Sequence, residues 1–360
     1  MNSDTPTLEA LAVVLEQPER LSLQRLPLTP PEAGDVIVDM EWSGISTGTE
    51  RLLWSGTMPP FPGMGYPLVP GYESVGRVTY AGPESGLEVG QRVFVPGARC
   101  YGEVRGLFGG ASSRVVAPGA RLLPVPESLG ERGVLLALAA TAYHAIATPS
   151  ASVSAHAALR AESSASATAA GVSASSVATA GTSTAPAPAP HVELIAGHGV
   201  LGRLLARIAA LGEGTRPVVW ETNPVRHSGA EGFGYDVMQP DDDPRRDYRT
   251  ICDMSGDARI LDSLVARLAR GGEIVLGGFY HEPVSFTFPP AFMREARFRI
   301  AAEFQPSDLA AVRDLLDAGR LSLDGLITHC VPATEADSAY RTAFGDPSCL
   351  KMILDWRTIA

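Results

Sequence analysis

Six residues with a regular glycine spacing, 197–202, are suited to hold the phosphates of a dinucleotide. They follow the pattern G-x-G-x-x-G. In such a turn the first glycine allows the tight bend, the second lets the backbone approach a pyrophosphate, and the third lets a helix pack on a strand. A helix that begins inside the turn also directs free N–H groups and a partial positive charge at the phosphates. The predicted cofactor contacts in the turn are Gly197, Gly199, Val200, Leu201 and Gly202.

The segments around this turn are those that a dinucleotide site requires. Residues 192–196 predict a buried parallel strand, and residues 201–211 repeat apolar side chains at helical intervals. A second strand at 217–220 ends at Glu221, nineteen residues after Gly202. A carboxylate there accepts hydrogen bonds from the ribose hydroxyls of NAD and repels the extra phosphate of NADP. The sequence therefore favours NAD, although Arg226 and His227 close behind weaken that preference.

A second glycine pair marks the other wall of the predicted cofactor site. Gly277 and Gly278 end a buried strand that begins near 273, and Phe279 and Tyr280 follow them. Open α/β sheets bind their ligands at the carboxyl ends of the strands, which is where these residues fall. Gly277, Gly278 and Phe279 are therefore predicted to contact the cofactor.

Composition excludes several classes of function. The net charge of −11 argues against a nucleic-acid partner, because polyanions select basic surfaces. Four cysteines are scattered without a C-x-x-C pair, which fits a reducing compartment and neither a disulfide framework nor a thiolate zinc site. The N-terminus has no signal-peptide pattern and no apolar run reaches membrane-spanning length. We therefore expect a cytoplasmic protein.

Composition and periodicity divide the chain into four segments. Residues 1–148 alternate short apolar strands with glycine and proline clusters and end in a helix at 131–147, which predicts a compact β-rich domain. Residues 149–190 are nearly all Ala, Ser, Thr, Gly and Pro and predict a disordered insertion. Residues 191–305 alternate strands and helices, as in a doubly wound parallel sheet, so the fold class is α/β. In residues 306–360 a helix at 308–318 and two strands are predicted to return to the first domain.

Three runs, at 43–50, 70–78 and 141–145, resemble markers of the medium-chain dehydrogenase/reductase superfamily. The resemblance implies a GroES-like catalytic domain, a Rossmann domain and a homodimer. In zinc-dependent members the first two markers carry a metal-binding Cys and a His-Glu pair. Here Ser46 and Tyr72 stand in those places, Ala137 or its neighbours replace the third ligand, and Glu73 alone remains. Because a catalytic zinc ion needs three protein ligands, we predict that this chain holds no metal.

Longer runs give a narrower resemblance, to the bacteriochlorophyllide a dehydrogenases of bacteriochlorophyll synthesis. They lie at 51–56, 62–73, 102–110, 289–296, 343–347 and 350–352. The resemblance implies a tetrapyrrole substrate whose 1-hydroxyethyl group is oxidised to acetyl, with hydride passing to a nicotinamide cofactor. The insertion at 149–190 departs from the family pattern.

Without a metal, a side chain or a water chain must take the proton of the alcohol. The predicted catalytic candidates are Ser46, Thr49, Glu50, Tyr72 and Glu73, with Tyr143 and His144 on the nearby helix. Thr49 matches a hydroxyl-relay position only when the first marker is aligned on Gly48. Glu50 and Glu73 could instead be buried partners of arginines, and Tyr72 and His144 could be ordinary packing residues. The sequence does not show which residue is the base.

A flat macrocycle requires a wide cleft with aromatic walls. Candidates for these walls lie in or beside glycine- and proline-rich loops, and for each the alternative is an ordinary place in the core. They are Trp42, Trp54, Phe61, Tyr66, Phe108, Phe279 and Tyr280.

Two other functions stay open at this point. One is a zinc-free, NAD(P)H-dependent reductase of quinones or enones, against which Glu221 argues. The other is a non-catalytic nucleotide-sensing protein that has an intact Rossmann domain and an inactive cleft.

Overall fold

Short apolar strands build two sheets in the first part of the chain. A computed structural model of the protein describes residues 8–60, 63–147 and 191–359, so the predicted insertion at 149–190 and Phe61 lie outside the described residues. The strands of this part are β1 Glu9–Gln17, β2 Arg20–Pro27, β3 Asp35–Ile45, β4 Leu68–Val69, β5 Ser74–Ala81, β6 Arg92–Val95, β7 Arg105–Gly106, β8 Arg114–Pro118 and β9 Leu123–Pro124. One helix, α1 Thr49–Ser55, follows β3.

Strand β3 is the centre of the larger sheet. Its even-numbered residues from Val36 to Trp42 are buried and alternate with half-buried ones, the period expected of a strand with one face on a core. It pairs antiparallel with β5 and β8. Its last residues, Ser43 to Ile45, are all buried and lead directly into the candidate site.

The Rossmann domain is a six-stranded parallel sheet in the order β12-β11-β10-β13-β14-β15. Its strands are β10 Leu194–Ala196, β11 Val218–Trp220, β12 Asp236–Met238, β13 Tyr248–Asp253, β14 Leu268–Leu276 and β15 Arg297–Ile300, and its helices are α3 Val200–Ala209, α4 Leu261–Arg267 and α5 Phe288–Met293. Helix α6 Pro306–Asp317, which was predicted at 308–318 in the C-terminal segment, follows β15 and packs against the helix at Leu136–Ala147. Strand β10 is buried throughout, as an apolar run in a sheet covered on both faces must be. This sheet confirms the predicted doubly wound fold.

Helix α2, Leu136–Ala147, joins the first domain to the Rossmann domain. It packs against α3 and α6, and its alanines are small enough for the three helices to approach closely. The sequence predicted an α-helix from 131, but residues Glu127–Leu135 form a 3-10 segment with a non-helical backbone at Gly130. A side chain at Gly133 would stand 2.6 Å from Val75, so close packing against β5 shapes this segment.

The last part of the chain adds two strands and a helix to the first domain. They are β16 His329–Pro332, α7 Ala336–Gly345 and β17 Met352–Asp355. Strand β17 runs antiparallel to β3, with Met352 opposite Ile45. The C-terminal strands thus extend the sheet that contains β3.

Element ends differ from the prediction mainly around β14. The sequence predicted a helix over 259–269 and a strand from 273, whereas α4 ends at Arg267 and β14 begins at Leu268. Tyr248 of β13 pairs with Leu268, and the register shifts before Thr250 pairs with Glu273, so strand pairing begins before the glycines. No helix in the described part of the chain is long and apolar enough to cross a bilayer.

Candidate functional site

The glycine turn has the geometry that its spacing predicts. Gly197 has a φ of 98°, a left-handed conformation that favours glycine. A Cβ at Gly202 would stand 1.9 Å from the carbonyl oxygen of Gly197, so only glycine lets α3 lie this close to the turn. At Gly199, which caps α3, no described atom lies within 4 Å of the Cβ position. The turn therefore presents the open backbone that a pyrophosphate requires.

Glu221 is tied to this turn. One carboxylate oxygen accepts the backbone N–H of His198 at 3.0 Å, and the other accepts that of Asn223 at 2.8 Å. The two residues that weakened the preference for NAD make other contacts. The Arg226 guanidinium donates to the carbonyl of Pro347 at 3.1 Å, and the His227 ring bonds to the backbone carbonyl of Glu221 at 2.8 Å.

A buried histidine, His198, stiffens the turn from within, a role that was not predicted from the sequence. The His198 ring is fully buried, 2.6 Å from the carbonyl oxygen of Arg226 and 3.0 Å from the Tyr235 hydroxyl. Burial, helped by the nearby Arg203 cation, lowers the pKa of His198 to about 4, so the ring is neutral at neutral pH. The backbone at Arg226, five residues after Glu221, is thereby held to the phosphate-binding turn.

The second predicted glycine pair, Gly277 and Gly278, lies near the glycine turn, and the loop at 255–256 contacts both. A Cβ at Gly197 would stand 3.1 Å from Ser255, and one at Gly278 would stand 2.7 Å from the Gly256 nitrogen. Asp253, fully buried at the end of β13, accepts from Ser255 and from the Tyr280 hydroxyl, both at 2.6 Å. Gly277 follows β14 directly, and Phe279 is 43% exposed, so its ring is free for a ligand.

In the first domain, the structure brings together the five predicted catalytic candidates. The Ser46 and Tyr72 hydroxyls are 2.6 Å apart. Burial, with the neighbouring Glu73 charge, raises the pKa of Tyr72, and hydrogen bonds from Ser46 and Thr49 oppose this shift. Tyr72 is therefore a neutral phenol that can accept one proton and donate another. We call Ser46 and Tyr72 the hydroxyl pair.

Both predicted acids lie buried beside the hydroxyl pair. Glu73 accepts from the Lys351 ammonium at 2.5 Å. Glu50 accepts from the Tyr340 hydroxyl at 2.7 Å and from the backbone N–H of Ser46 at 3.3 Å. Burial raises the pKa of Glu73, and the Lys351 charge opposes it. The alternative of arginine pairing is wrong for both acids, since their partners are a lysine and a tyrosine.

Lys351 and Tyr340 were missed because they come from the far end of the chain. Lys351 lies next to β17 and Tyr340 lies in α7. A single lysine inside the apolar run 350–354 was the signal that could have identified Lys351. The same C-terminal segment carries Pro347, the partner of Arg226, so it contacts both the loop that follows Glu221 and the buried acids.

Three other predicted site residues, Tyr143, His144 and Trp42, contact neighbouring helices and arginines. The His144 ring contacts the Asp308 carboxylate at 2.9 Å, at the start of α6, and Tyr143 packs against the core that α2 shares with α3. Trp42 is buried beneath the cations of Arg92 and Arg357.

Of the aromatic candidates in the first domain, Phe108 contacts the hydroxyl pair. Its ring meets that of Tyr72 edge to face, with centroids 5.3 Å apart. The Tyr66 hydroxyl donates to the carbonyl of Leu53, and Trp54 packs at a tilt on Phe344. Tyr66 and Phe108 belong to one cluster with Met58 and Met64, which forms an apolar wall near the hydroxyl pair.

The residues at the zinc position of the superfamily do not offer the ligands of that ion. Ser46 and Tyr72 bond to each other, and Glu73 is paired with Lys351. Within the ranges that the structure describes, no group of three His, Cys, Asp or Glu side chains is placed to hold a metal ion.

Glu50 gives the site a measurable pH dependence. Burial raises its pKa to about 7, the Tyr340 hydrogen bond opposes the shift, and the Glu73 charge adds to it. The native state therefore binds this proton more tightly than the unfolded chain, in which the pKa is near 4.5. The associated stability is complete below this unfolded value and is lost as the pH rises through about 7.

We expect Glu50→Gln to remove the loss of stability that accompanies ionisation of Glu50 as the pH rises. From about pH 5 to about pH 8 the free energy of unfolding of the variant should rise relative to wild type by roughly 2–3 kcal/mol, because glutamine keeps the hydrogen bonds without a titrating proton. Urea unfolding at both pH values measures this, with the exposed Glu88→Gln as control. If the free energy of unfolding changed equally with pH in wild type and in Glu50→Gln, the raised pKa of Glu50 would be contradicted.

Comparison with known proteins shows the class of protein to which this fold belongs. The model of the alcohol dehydrogenase GroES-like domain matches residues 32–127. A short chain alcohol dehydrogenase from Escherichia coli, complexed with NADH, has the same fold, with a TM-score of 0.72 and 20% identity over 97% of this chain and 99% of its own. A GroES-like domain joined to a Rossmann domain defines a member of the medium-chain dehydrogenase/reductase superfamily.

Two relatives narrow the class to a family. The chain is 52% identical to the 2-desacetyl-2-hydroxyethyl bacteriochlorophyllide A dehydrogenase of Rhodobacter capsulatus, over 97% of this chain and 99% of the relative. It is 51% identical to the protein of that name from Cereibacter sphaeroides, over 98% of this chain and all of the relative. The chain belongs to this family.

Proposed function

We propose that the protein oxidises the 1-hydroxyethyl group of a bacteriochlorophyllide to an acetyl group, with NAD as the hydride acceptor. The observation that carries the proposal is the buried hydroxyl pair, Ser46 and Tyr72 at 2.6 Å, in a chain that matches relatives named for this substrate along their whole length. The reaction transfers a hydride from the alcohol carbon to the nicotinamide ring, and the hydroxyl proton leaves as the C=O bond forms.

The hydroxyl pair gives the proton a route out of the site. Each oxygen can accept a proton on one side and release one on the other, so neither becomes charged for long. Thr49, which is half-buried and lies close enough to Tyr72 to lower its pKa, continues the route toward solvent. This arrangement supports Ser46 as the first acceptor and Tyr72 as the relay.

The acids support the same reaction without acting as the first base. Glu73 is held by Lys351 and Glu50 by Tyr340, so both are committed to buried partners. Their role is to fix the two segments that carry the hydroxyl pair. We propose that the reaction proceeds without zinc, since the ligand positions are occupied by hydroxyl groups and a lysine-bound carboxylate.

Glu221 supports NAD over NADP. Its carboxylate lies beside the phosphate-binding turn, where its charge repels a 2′-phosphate. Arg226 and His227, the residues available to attract that phosphate, contact Pro347 and the Glu221 backbone carbonyl instead.

We infer that the protein is a homodimer joined along β15. Among the strands that the structure describes, this one ends the parallel sheet, and its outer edge carries Ile300, which is 76% exposed. Beside it lies a cleft of about 460 Å³ lined by exposed rings, including Phe288 and Phe292. A second copy can pair with the edge and cover the rings. Sedimentation equilibrium should give a dimer for wild type and a monomer for Ile300→Lys; a monomeric wild type would contradict the inference.

Deletion of the gene tests the proposed function in the cell. Pigment analysis of the deletion strain should show accumulation of a hydroxyethyl bacteriochlorin and loss of the acetyl pigment. Complementation with the intact chain should restore the acetyl pigment, whereas Tyr72→Phe should restore little of it. Unchanged bacteriochlorophyll in the deletion strain would overturn the proposal.

A further inference from the structure

Lys351 is the only lysine in the chain, and it is buried beneath the candidate site. Among the 29 Lys and Arg residues all the others are arginines. Its side chain is 1% exposed. The ammonium donates to the Glu73 carboxylate at 2.5 Å and to the carbonyl oxygen of Ile45 at 3.1 Å.

These two contacts lie one residue from each member of the hydroxyl pair. Ile45 precedes Ser46, and Glu73 follows Tyr72. One ammonium therefore ties the end of β3 to the segment that leads into β5. The two segments also approach at Gly44, whose N–H donates to the carbonyl of Glu73 at 2.7 Å, and a Cβ at Gly44 would stand 2.7 Å from the Glu73 carboxylate.

A lysine suits this position for chemical reasons. The ammonium is a compact charge with three donors on one atom, so it can hold a carboxylate and a backbone carbonyl in different directions. A buried ion pair is often no more stabilising than a well-packed apolar pair of the same size. Stability alone therefore does not explain the lysine, whereas a need for fixed geometry does.

We propose that Lys351 is a positioning residue for alcohol oxidation, holding Ser46 and Tyr72 at the distance that proton relay requires. This inference rests on the proposed function. The ammonium touches neither hydroxyl and acts through Ile45 and Glu73. The other groups of this buried cluster, Glu50 and Tyr340, bond to each other.

Three variants separate positioning from stability. In Lys351→Met, kcat with a hydroxyethyl bacteriochlorophyllide should fall about 100-fold, because a displacement of about 1 Å in the reacting groups has that effect. Its KM for NAD should stay within about threefold of wild type, since the cofactor turn is intact. Lys351→Arg retains the cation and should keep kcat within about tenfold of wild type.

The double variant Glu73→Gln/Lys351→Met decides between the two roles. It leaves no buried charge unpaired, so its Tm should recover toward wild type even where the single variant folds poorly. Its kcat should remain about 100-fold low, because the ammonium contacts with Ile45 and Glu73 are absent even though the backbone hydrogen bond from Gly44 to Glu73 remains. Recovery of both Tm and kcat would overturn the inference, as would a normal kcat in Lys351→Met. Arg216→Met removes an exposed ion pair of the Rossmann domain and serves as the control.

A spectroscopic measurement tests the contact without using activity. Wild-type protein labelled with ¹⁵N-lysine contains one Nζ, so one ammonium signal is expected. Its protons should exchange slowly with water and shift in Glu73→Gln, while Ser46→Ala should leave them protected. A rapidly exchanging signal would overturn the inference. If wild type oxidised no hydroxyethyl pigment while this signal was protected, the proposed function would fail but the contact would stand.

Discussion

Replacing Tyr72 with phenylalanine is expected to lower kcat about 10²–10³-fold, within the range that a positioned proton-transfer group contributes. The phenol oxygen lies 2.6 Å from the Ser46 hydroxyl, and phenylalanine ends the relay there. The KM for NAD should change by less than about threefold, because the phenol lies outside the cofactor turn. The ring keeps its edge-to-face contact with Phe108, so the fold is retained. Steady-state kinetics with the bacteriochlorin substrate measure the effect.

Three further variants show whether the loss of kcat is due to the relay. Ser46→Ala should lower kcat about as much as Tyr72→Phe, and the double variant should be no worse than either, because residues that act as one unit are non-additive. Tyr101→Phe is the matched control, since its buried hydroxyl donates to Gly109 at 2.6 Å and lies outside the hydroxyl pair. It should lose stability and keep kcat. Equal losses of kcat in Tyr72→Phe and Tyr101→Phe would contradict the relay.

The second large effect is expected at Gly202. Alanine normally favours a helix by about 1 kcal/mol over glycine. At Gly202, however, its Cβ would stand 1.9 Å from the carbonyl oxygen of Gly197. Moving α3 away costs about 1–3 kcal/mol, so NAD binding should weaken roughly 10- to 100-fold and Tm should fall. Calorimetric titration with NAD and thermal unfolding measure the two effects.

Substitutions at two glycines in open surroundings show whether the effects of Gly202→Ala come from its close contact with Gly197. No described atom lies within 4 Å of the Cβ position at Gly199 or at Gly34. Gly199→Ala should weaken NAD binding, because its methyl group takes the space of the pyrophosphate, but it should leave Tm unchanged. Gly34→Ala, in the first domain, should alter neither. Normal NAD binding by Gly202→Ala would contradict the account of the turn.

The Rossmann domain could be predicted from the sequence because its signals are local. The strand before Gly197, the glycine spacing and the helix after it lie within about one βαβ unit, where periodicity and turn chemistry act on neighbouring residues. Element ends were less accurate around β14, where pairing with β13 carries the strand back to Leu268. Pairing between strands is not encoded in the local pattern.

The catalytic candidates could be predicted only in part. Ser46 and Tyr72 were identified by their places in two markers, but their contact joins residues 26 positions apart. Lys351 is 278 positions from Glu73, and Tyr340 is 290 from Glu50, so no local pattern links these partners. The antiparallel pairing of β17 with β3 brings them together. The role of His198 was hidden for the same reason, since Tyr235 lies 37 positions away.

The most direct test is a single incubation of the purified protein with 2-desacetyl-2-hydroxyethyl bacteriochlorophyllide a and NAD. We expect an acetyl product that is lighter by two hydrogen atoms, formed in equal amount to NADH, with NADP a much poorer acceptor. The rate should be unchanged after dialysis against a zinc chelator. No oxidation with either cofactor, or activity confined to NADPH-dependent reduction of quinones, would contradict the proposed function.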